Sequence, residues 1–173
     1  VIAGTHGKTT TTSLLTWVFE HNGLNPSYLI GGIPNNLSQG ARFTDSEWFI
    51  IEGDEYDTAF FDKRSKFIHY LPEVAIINNL EFDHADIFAD LAAVQKNFGH
   101  FIRLVPRNGL LLLGADSPLA AALAEKAVSP VETFGLSGDF TWTATDLDVA
   151  PGGTVFKARR HGTLVGTFEV PLL

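Results

Sequence analysis

The stretch that decides the fold is Val1-Ile2-Ala3-Gly4-Thr5-His6-Gly7-Lys8-Thr9-Thr10. Val1 to Ala3 is apolar and reads as the end of a buried strand. Gly4 to Gly7 reads as a loop. From Lys8 to Asn22 the apolar residues Leu14, Leu15, Val18 and Phe19 recur at helical spacing, and Asn22-Gly23 stops the helix. A strand feeding a glycine loop that opens a helix is the setting in which backbone amides and a helix N-terminus hold a phosphate. Glycine lets the backbone curl so that several N–H groups face one anion. The candidate ATP-binding residues are therefore Gly4, Thr5, His6, Gly7, Lys8, Thr9 and Thr10. Lys8 is placed to reach the β- and γ-phosphates, and the Thr9 hydroxyl to ligate magnesium. The spacing departs from the common pattern, which would put a glycine at position 2. Ile2 stands there, and Gly4 lies three residues before Gly7. The alternative, a polar turn that happens to contain lysine, fits the flanking elements and the Lys8-Thr9 pair poorly.

Outward from this loop, apolar runs alternate with helical patterns. Tyr28 to Ile30 reads as a second strand. Residues 33 to 45 are rich in Asn, Gly, Ser and Pro and read as loop. Trp48 to Ile51 is wholly apolar and predicts a strand buried on both faces. Val74 to Ile77 predicts another. Leu91, Val94, Phe98, Phe101 and Val105 mark one face of a helix. Leu110 to Leu113 and Val131 to Phe134 are further strands. Ser117-Pro118 opens a helix expected to reach about Ala127. Alternation of this kind predicts an α/β fold with a mostly parallel sheet flanked by helices. After Gly135 short apolar runs punctuated by Gly152-Gly153 and Gly162 predict a small antiparallel meander. We read residues 1–173 as one domain, about 1–135 parallel α/β and about 136–173 meander.

Composition narrows the function classes. Twenty acidic residues against 12 Lys and Arg give a net charge of -8. That balance disfavours a nucleic-acid backbone as partner, which calls for a basic face. There is no cysteine, so disulfides, thiol nucleophiles and cysteine metal sites are excluded. No apolar run approaches the roughly 20 residues of a membrane span, and no signal peptide is visible. A cytoplasmic setting is expected. There is no methionine, and residue 1 already lies in an apolar run. The chain reads as a piece of something longer.

Two further segments carry chemistry. Glu52 follows the strand ending at Ile51. Asn79, Glu81, Asp83 and His84 follow the strand ending at Ile77. In a parallel sheet the carboxyl ends of all strands share one edge. Thr9, Glu52 and His84 are thus expected to gather there as magnesium ligands, with Lys8 and His84 as catalytic residues. Asp54, Glu55 and Asp57 are read as loop charges or helix caps. The basic cluster Lys63, Arg64 and Lys66 is read as a solvated face, with contact to an anionic substrate as the alternative. His21, His69, His100 and His161 show no partner pattern.

Taken together, Gly4-Thr5-His6-Gly7-Lys8-Thr9-Thr10-Thr11, Glu52-Gly53-Asp54-Glu55-Tyr56-Asp57 and Asn78-Asn79-Leu80-Glu81-Phe82-Asp83-His84-Ala85-Asp86 resemble the Mur ligase family of ATP-dependent amide ligases, in order and in separation. His6 is similar to the muramate-adding branch, where other branches usually carry Asn. The run Tyr56-Asp57-Thr58-Ala59-Phe60-Phe61-Asp62-Lys63-Arg64-Ser65-Lys66-Phe67 resembles the branch that attaches a recycled tripeptide rather than alanine. Several branches carry a carbamylated lysine 14 residues after the histidine matching His84. Phe98 stands there, and Lys96 is out of step.

The resemblance implies ATP and Mg2+ as cofactors, with UDP-N-acetylmuramate and L-Ala-γ-D-Glu-meso-diaminopimelate as substrates, in peptidoglycan recycling. It implies that the lactyl carboxylate attacks the γ-phosphate and that the tripeptide amine then displaces phosphate from the acyl phosphate. It implies three domains, of which this chain is the central one. The N-terminal UDP-binding domain and the C-terminal domain, with its Gly-x-His-Asn approach, would lie outside it, so this piece alone is expected to be inactive. An L-alanine ligase, a folylpolyglutamate-type ligase and a non-catalytic ATP-sensing module stay open as alternatives.

Overall fold

The computed structural model describes residues 1–81 and 90–171. Its elements are β1 (Ile2–Ala3), α1 (Lys8–His21), β2 (Ser27–Leu29), β3 (Ala41–Arg42), β4 (Phe49–Ile51), β5 (Asp57–Ala59) and β6 (Asp62–Ser65). They continue with a 3-10 turn (Lys66–His69), β7 (Val74–Ile77), α2 (Leu91–Ile102), β8 (Leu110–Gly114) and α3 (Pro118–Ala121), which tightens into a 3-10 turn (Ala122–Lys126). Last come β9 (Val131–Gly135), β10 (Trp142–Ala150), β11 (Gly153–Arg160) and β12 (Thr163–Val170).

The main sheet has the order β1-β7-β8-β9-β10-β11-β12. Pairing is parallel from β1 through β10 and antiparallel from β10 through β12. The expected meander is present. It continues the parallel sheet through Trp142 opposite Phe134 and Thr143 opposite Gly135. A smaller sheet, β3-β2-β4, meets β1 through a parallel bridge between Ile2 and Glu52. The Gly53 amide donates to the Ile2 carbonyl beside it.

Two apolar clusters sandwich the sheet. Ala3, Ala75, Ile77, Leu111 and Leu113 pack under Val94, Phe98, Phe101 and Ile102 of α2. Ile2, Tyr28, Ile30 and Ile50 pack under Leu15 and Phe19 of α1. Ile2 and Ala3 are neighbours yet serve opposite clusters, because side chains alternate across a strand. A helix on each face is what the sequence pattern predicts.

Two expectations need correction, and one element goes unanticipated. The strand over Trp48 to Ile51 is not buried on both faces, since Phe49 is 53% exposed and Trp48 is 41% exposed. Ile50 is buried in the α1 cluster and Trp48 meets Phe19 of α1 edge-on, while Phe49 meets Phe43 edge-on on the outer side. The helix after Ser117 keeps α geometry for one turn only. Its buried residues Ala120 and Leu123 lie three apart, the repeat of a 3-10 helix. Residues 57–65 form an antiparallel hairpin that the sequence reading does not anticipate, with Phe60 and Phe61 exposed at its tip.

Candidate functional site

β1 lies between β4 and β7, and all three run parallel. The segments that leave their carboxyl ends are the Gly4–Gly7 loop, Glu52 onward and Asn78-Asn79. Adjacency in the sheet thus brings together motifs that are far apart in sequence.

The loop is strapped to the end of β7. The Thr5 amide donates to the Asn79 carbonyl at 3.1 Å. The His6 amide donates to Asn79 Oδ1 at 2.8 Å. Asn78 Nδ2 donates to the His6 carbonyl and, at 3.0 Å, to Thr11 Oγ1. Thr5 Oγ1 accepts from the Glu81 amide at 2.9 Å, and the His6 imidazole lies 3.7 Å from the Glu81 carboxylate. The Thr5 and His6 amides therefore serve the loop itself. Donors for an anion fall to the first turn of α1, from Gly7 to Thr10, where amides have no intrahelical acceptor and no side chain caps the helix. Gly7 holds φ at 76°, a left-handed geometry that turns the chain into the helix. Gly4, at φ 133°, brings the loop close under β7, and a Cβ there would sit 3.0 Å from the Asn79 carbonyl oxygen.

Thr9 Oγ1 donates to Glu52 Oε1 at 2.8 Å, and the other oxygen, Glu52 Oε2, accepts from the Gly31 amide at 2.8 Å. The hydroxyl and carboxylate named as magnesium ligands are thus in contact. Both are hard oxygen donors, and together they form a partial shell that phosphate oxygens and water can complete, as magnesium prefers. Among the described residues no three His, Asp or Glu side chains form a metal cage. His84, expected as a metal ligand and catalytic residue, lies outside the described residues. Phe98 is buried in the core against Phe67 and Phe101 and offers the rim no ligand.

Lys8 reveals what the sequence reading missed. Its ammonium donates to the Gly4 carbonyl at 2.8 Å, to the Thr5 carbonyl at 3.1 Å and to Glu55 Oε1 at 3.0 Å. Glu55 is 2% exposed. It is a buried counterion, not a loop charge or cap. A charged residue in a polar turn carries no sequence sign of burial, and only the pairing of Lys8 with a carboxylate could have suggested it.

The mount of Glu55 is equally specific. Ser65 Oγ donates to the Glu55 carbonyl at 2.6 Å and in turn accepts from Asn97 Nδ2 of α2. The Phe67 amide donates to the Asp54 carbonyl and the Lys66 amide to the Tyr56 carbonyl. The cations of the basic cluster are all paired: Lys63 with Asp57 at 2.7 Å, Arg64 with Asp62 at 2.7 Å and Lys66 with Asp54 at 2.8 Å. The Arg64 hydrogen bonds hold the Asp62 carboxyl well below its ordinary range. The Asp54 bond raises the Lys66 ammonium. The hairpin is thus braced by its own charges and fixes the residues behind it.

A cavity of about 630 Å³ lies at the opposite edge of the sheet, lined by Ile2, Leu15, Phe19, Ile50 and Ile76 among others. Lys8, Thr9 and Glu52 do not line it, so it is separate from the glycine loop. Among the described residues no helix is long and apolar enough to cross a membrane.

Comparison with known proteins agrees with this fold. The Mur ligase middle domain matches residues 2–173. Over 119 residues the chain is 60% identical to the Haemophilus influenzae UDP-N-acetylmuramate–L-alanyl-gamma-D-glutamyl-meso-2,6-diaminoheptandioate ligase, covering 69% of this chain and 26% of that protein. The Escherichia coli protein of the same name is 50% identical over 147 residues, covering 84% of this chain and 32% of its own length. The chain therefore spans about a quarter to a third of these curated relatives. The solved Neisseria meningitides UDP-N-acetylmuramate:L-alanyl-gamma-D-glutamyl-meso-diaminopimelate ligase superposes with a TM-score of 0.89 at 44% identity, over 99% of this chain and 55% of that one. With its strapped glycine loop, the Thr9–Glu52 contact and a sheet of matching topology, the chain belongs to the Mur ligase family, as a middle domain.

Proposed function

We propose that this chain is the ATP-binding part of a ligase that joins UDP-N-acetylmuramate to the tripeptide L-Ala-γ-D-Glu-meso-diaminopimelate in peptidoglycan recycling. The observation that carries the proposal is the contact of Thr9, the residue after Lys8, with Glu52 at the adjoining ends of β1 and β4. The substrate pair is supported by the printed names of the relatives at 50–60% identity. The UDP-sugar and the tripeptide would be bound mainly by domains outside these residues, so the chain alone would not ligate. The setting would be the cytoplasm, where nucleotide and UDP-sugar are present.

The physical obstacle is the approach of a carboxylate to a polyphosphate. Lys8 and the first-turn amides of α1 offset that repulsion by meeting the phosphate oxygens with positive charge and aligned donors. Thr9 and Glu52 would hold magnesium, with His84 as a further ligand and catalytic group. Bound there, the metal would supply charge neutralisation at the phosphate oxygens. Asn78 and Asn79 keep the loop from rearranging as charge shifts.

The test is ADP release by the full-length ligase, with UDP-N-acetylmuramate and either the tripeptide or L-alanine as acceptor. Tripeptide-dependent turnover that stops when EDTA removes magnesium is expected. Turnover with alanine alone would overturn the substrate assignment. Absence of Mg·ATP binding in calorimetry would overturn the nucleotide assignment.

A further inference from the structure

Lys8 has three ammonium protons, and the structure shows three acceptors for them: Gly4 O, Thr5 O and Glu55 Oε1. To reach a phosphate, Lys8 must exchange at least one of these bonds. The carbonyls of Gly4 and Thr5 belong to the loop and move with it. Glu55 belongs to another segment, 47 residues away, and it carries the opposing charge.

We infer that Glu55 is a positioning residue for Lys8: a buried counterion that sets where the ammonium stands and that the terminal phosphates of the nucleotide must displace. This rests on reading the loop as an ATP site. Three observations carry it. The lysine side chain is 15% exposed and its partner 2%, so the pair meets away from bulk water and interacts strongly. The main chain of Glu55 is held from behind, its backbone carbonyl accepting from the Ser65 hydroxyl, which in turn is bonded by Asn97 of α2. The neighbouring Asp54 and Tyr56 carbonyls are bound by the amides of Phe67 and Lys66. The main chain under Glu55 therefore cannot follow Lys8 toward a ligand, and its carboxylate is a partner tethered to a fixed point.

A fixed negative charge beside the phosphate subsite has two opposed effects. It competes with the nucleotide for Lys8 and repels it, which weakens ground-state binding. It also holds the ammonium on the side of the loop from which it meets the phosphate, which favours the reacting geometry. A residue that only supported the fold would not split these quantities in opposite directions.

The experiment uses the full-length ligase and measures Mg·ATP affinity by calorimetry, steady-state turnover and thermal melting in Glu55→Gln, Glu55→Asp, Lys8→Ala and Lys8→Ala/Glu55→Gln. Glu55→Gln is expected to lower the Kd for Mg·ATP by about threefold or more, through loss of a like charge, and to lower kcat by about tenfold or more. Glu55→Asp keeps the charge but withdraws it by one methylene. It should keep the parent's Kd and lose turnover. Lys8→Ala removes the ammonium from beside the buried Glu55 carboxylate, so its melting temperature should fall and partly recover in the double variant. An unchanged or raised Kd in Glu55→Gln, an unchanged kcat, or no recovery in the double variant would each overturn the inference. If the parent fails to bind Mg·ATP, or Lys8→Ala binds it as well as the parent, the site reading itself is wrong and takes this inference with it. If the parent binds, Lys8→Ala does not, and Glu55→Gln behaves as the parent, only the role of Glu55 falls.

Discussion

Thr9 Oγ1 and Glu52 Oε1 are joined by a 2.8 Å hydrogen bond across 43 residues of sequence. Thr9 sits on the second residue of α1, and Glu52 just past β4, bridged to Ile2 of β1. Two oxygen donors from separate elements thereby act as one unit.

Acting as one unit has a thermodynamic signature. Thr9→Ala and Glu52→Gln should each weaken Mg·ATP binding by roughly 10-fold or more. The double variant should be little worse than the poorer single, because residues sharing one interaction do not add. Calorimetric titration of all three variants checks this, and fully additive losses would separate the two residues.

Asn79 straps the loop through both its carbonyl and its side chain. Asn79→Ala removes the acceptor for the His6 amide and should cost about 1 kcal/mol of stability, the scale of one neutral hydrogen bond. Asn79→Asp keeps an acceptor there but adds a negative charge beside the phosphate subsite. Denaturation should find it near the parent in stability, while nucleotide titration finds weaker binding. Equal affinity in the Asp variant would argue that this rim does not face phosphate.

The two loop glycines should not be equally replaceable. Gly7 at φ 76° lies in the left-handed well, where an L-residue costs about 1–2 kcal/mol. Gly4 at φ 133° lies outside that well, and an added Cβ would also crowd the backbone of Asn78 and Asn79. Gly4→Ala should therefore lower the denaturation midpoint more than Gly7→Ala, and the reverse ranking would contradict the geometry.

The join between the parallel sheet and the meander should be acid-sensitive. Glu132 of β9 accepts from Trp142 Nε1 at 2.6 Å and from Arg160 at 2.7 Å. The Trp142 bond, followed by Arg160, lowers its pKa from the ordinary value of 4.5. A carboxylate lowered by folding contributes stability above its unfolded pKa and loses it as pH falls through the folded one. The melting-temperature gap between parent and Glu132→Gln should be present at neutral pH and close as the pH drops below 4.5. A gap independent of pH would mean that the charge is not what matters.

Phe98 tests the core beneath the site. It is fully packed against Phe67, which ends the braced segment behind Glu55. Phe98→Ala should cost about 3–5 kcal/mol in chemical denaturation, as for other large-to-small core changes. A loss under about 1 kcal/mol would show that the site collapses around the gap.

Much of this was legible in the sequence, for identifiable reasons. Apolar runs such as Val74 to Ile77 and Leu110 to Leu113 are long enough for pattern alone to place them, and the glycine loop carries its own chemistry. What escaped depends on partners remote in sequence. Nothing in Ala41-Arg42 marks a two-residue strand beside β2. Nothing in Phe49 says which face of β4 a helix will cover. The burial of Glu55 follows only once the hairpin folds back on α2 and turns the carboxylate toward Lys8. The hairpin was hidden by its charges, since Asp57, Asp62, Lys63 and Arg64 pair among themselves instead of forming an apolar pattern.

β1 pairs Ile2 with Ile76 and Ala3 with Ile77, and the loop begins at the very next position. One residue inserted between Ala3 and Gly4 would put the wrong groups opposite Asn78 and Asn79 and unseat the loop from both. Insertions in 33–45 or at the Phe60-Phe61 tip would leave that seam untouched. The tolerance of the molecule to changes in length is therefore uneven, and the join of β1 to its loop is an unforgiving place for them.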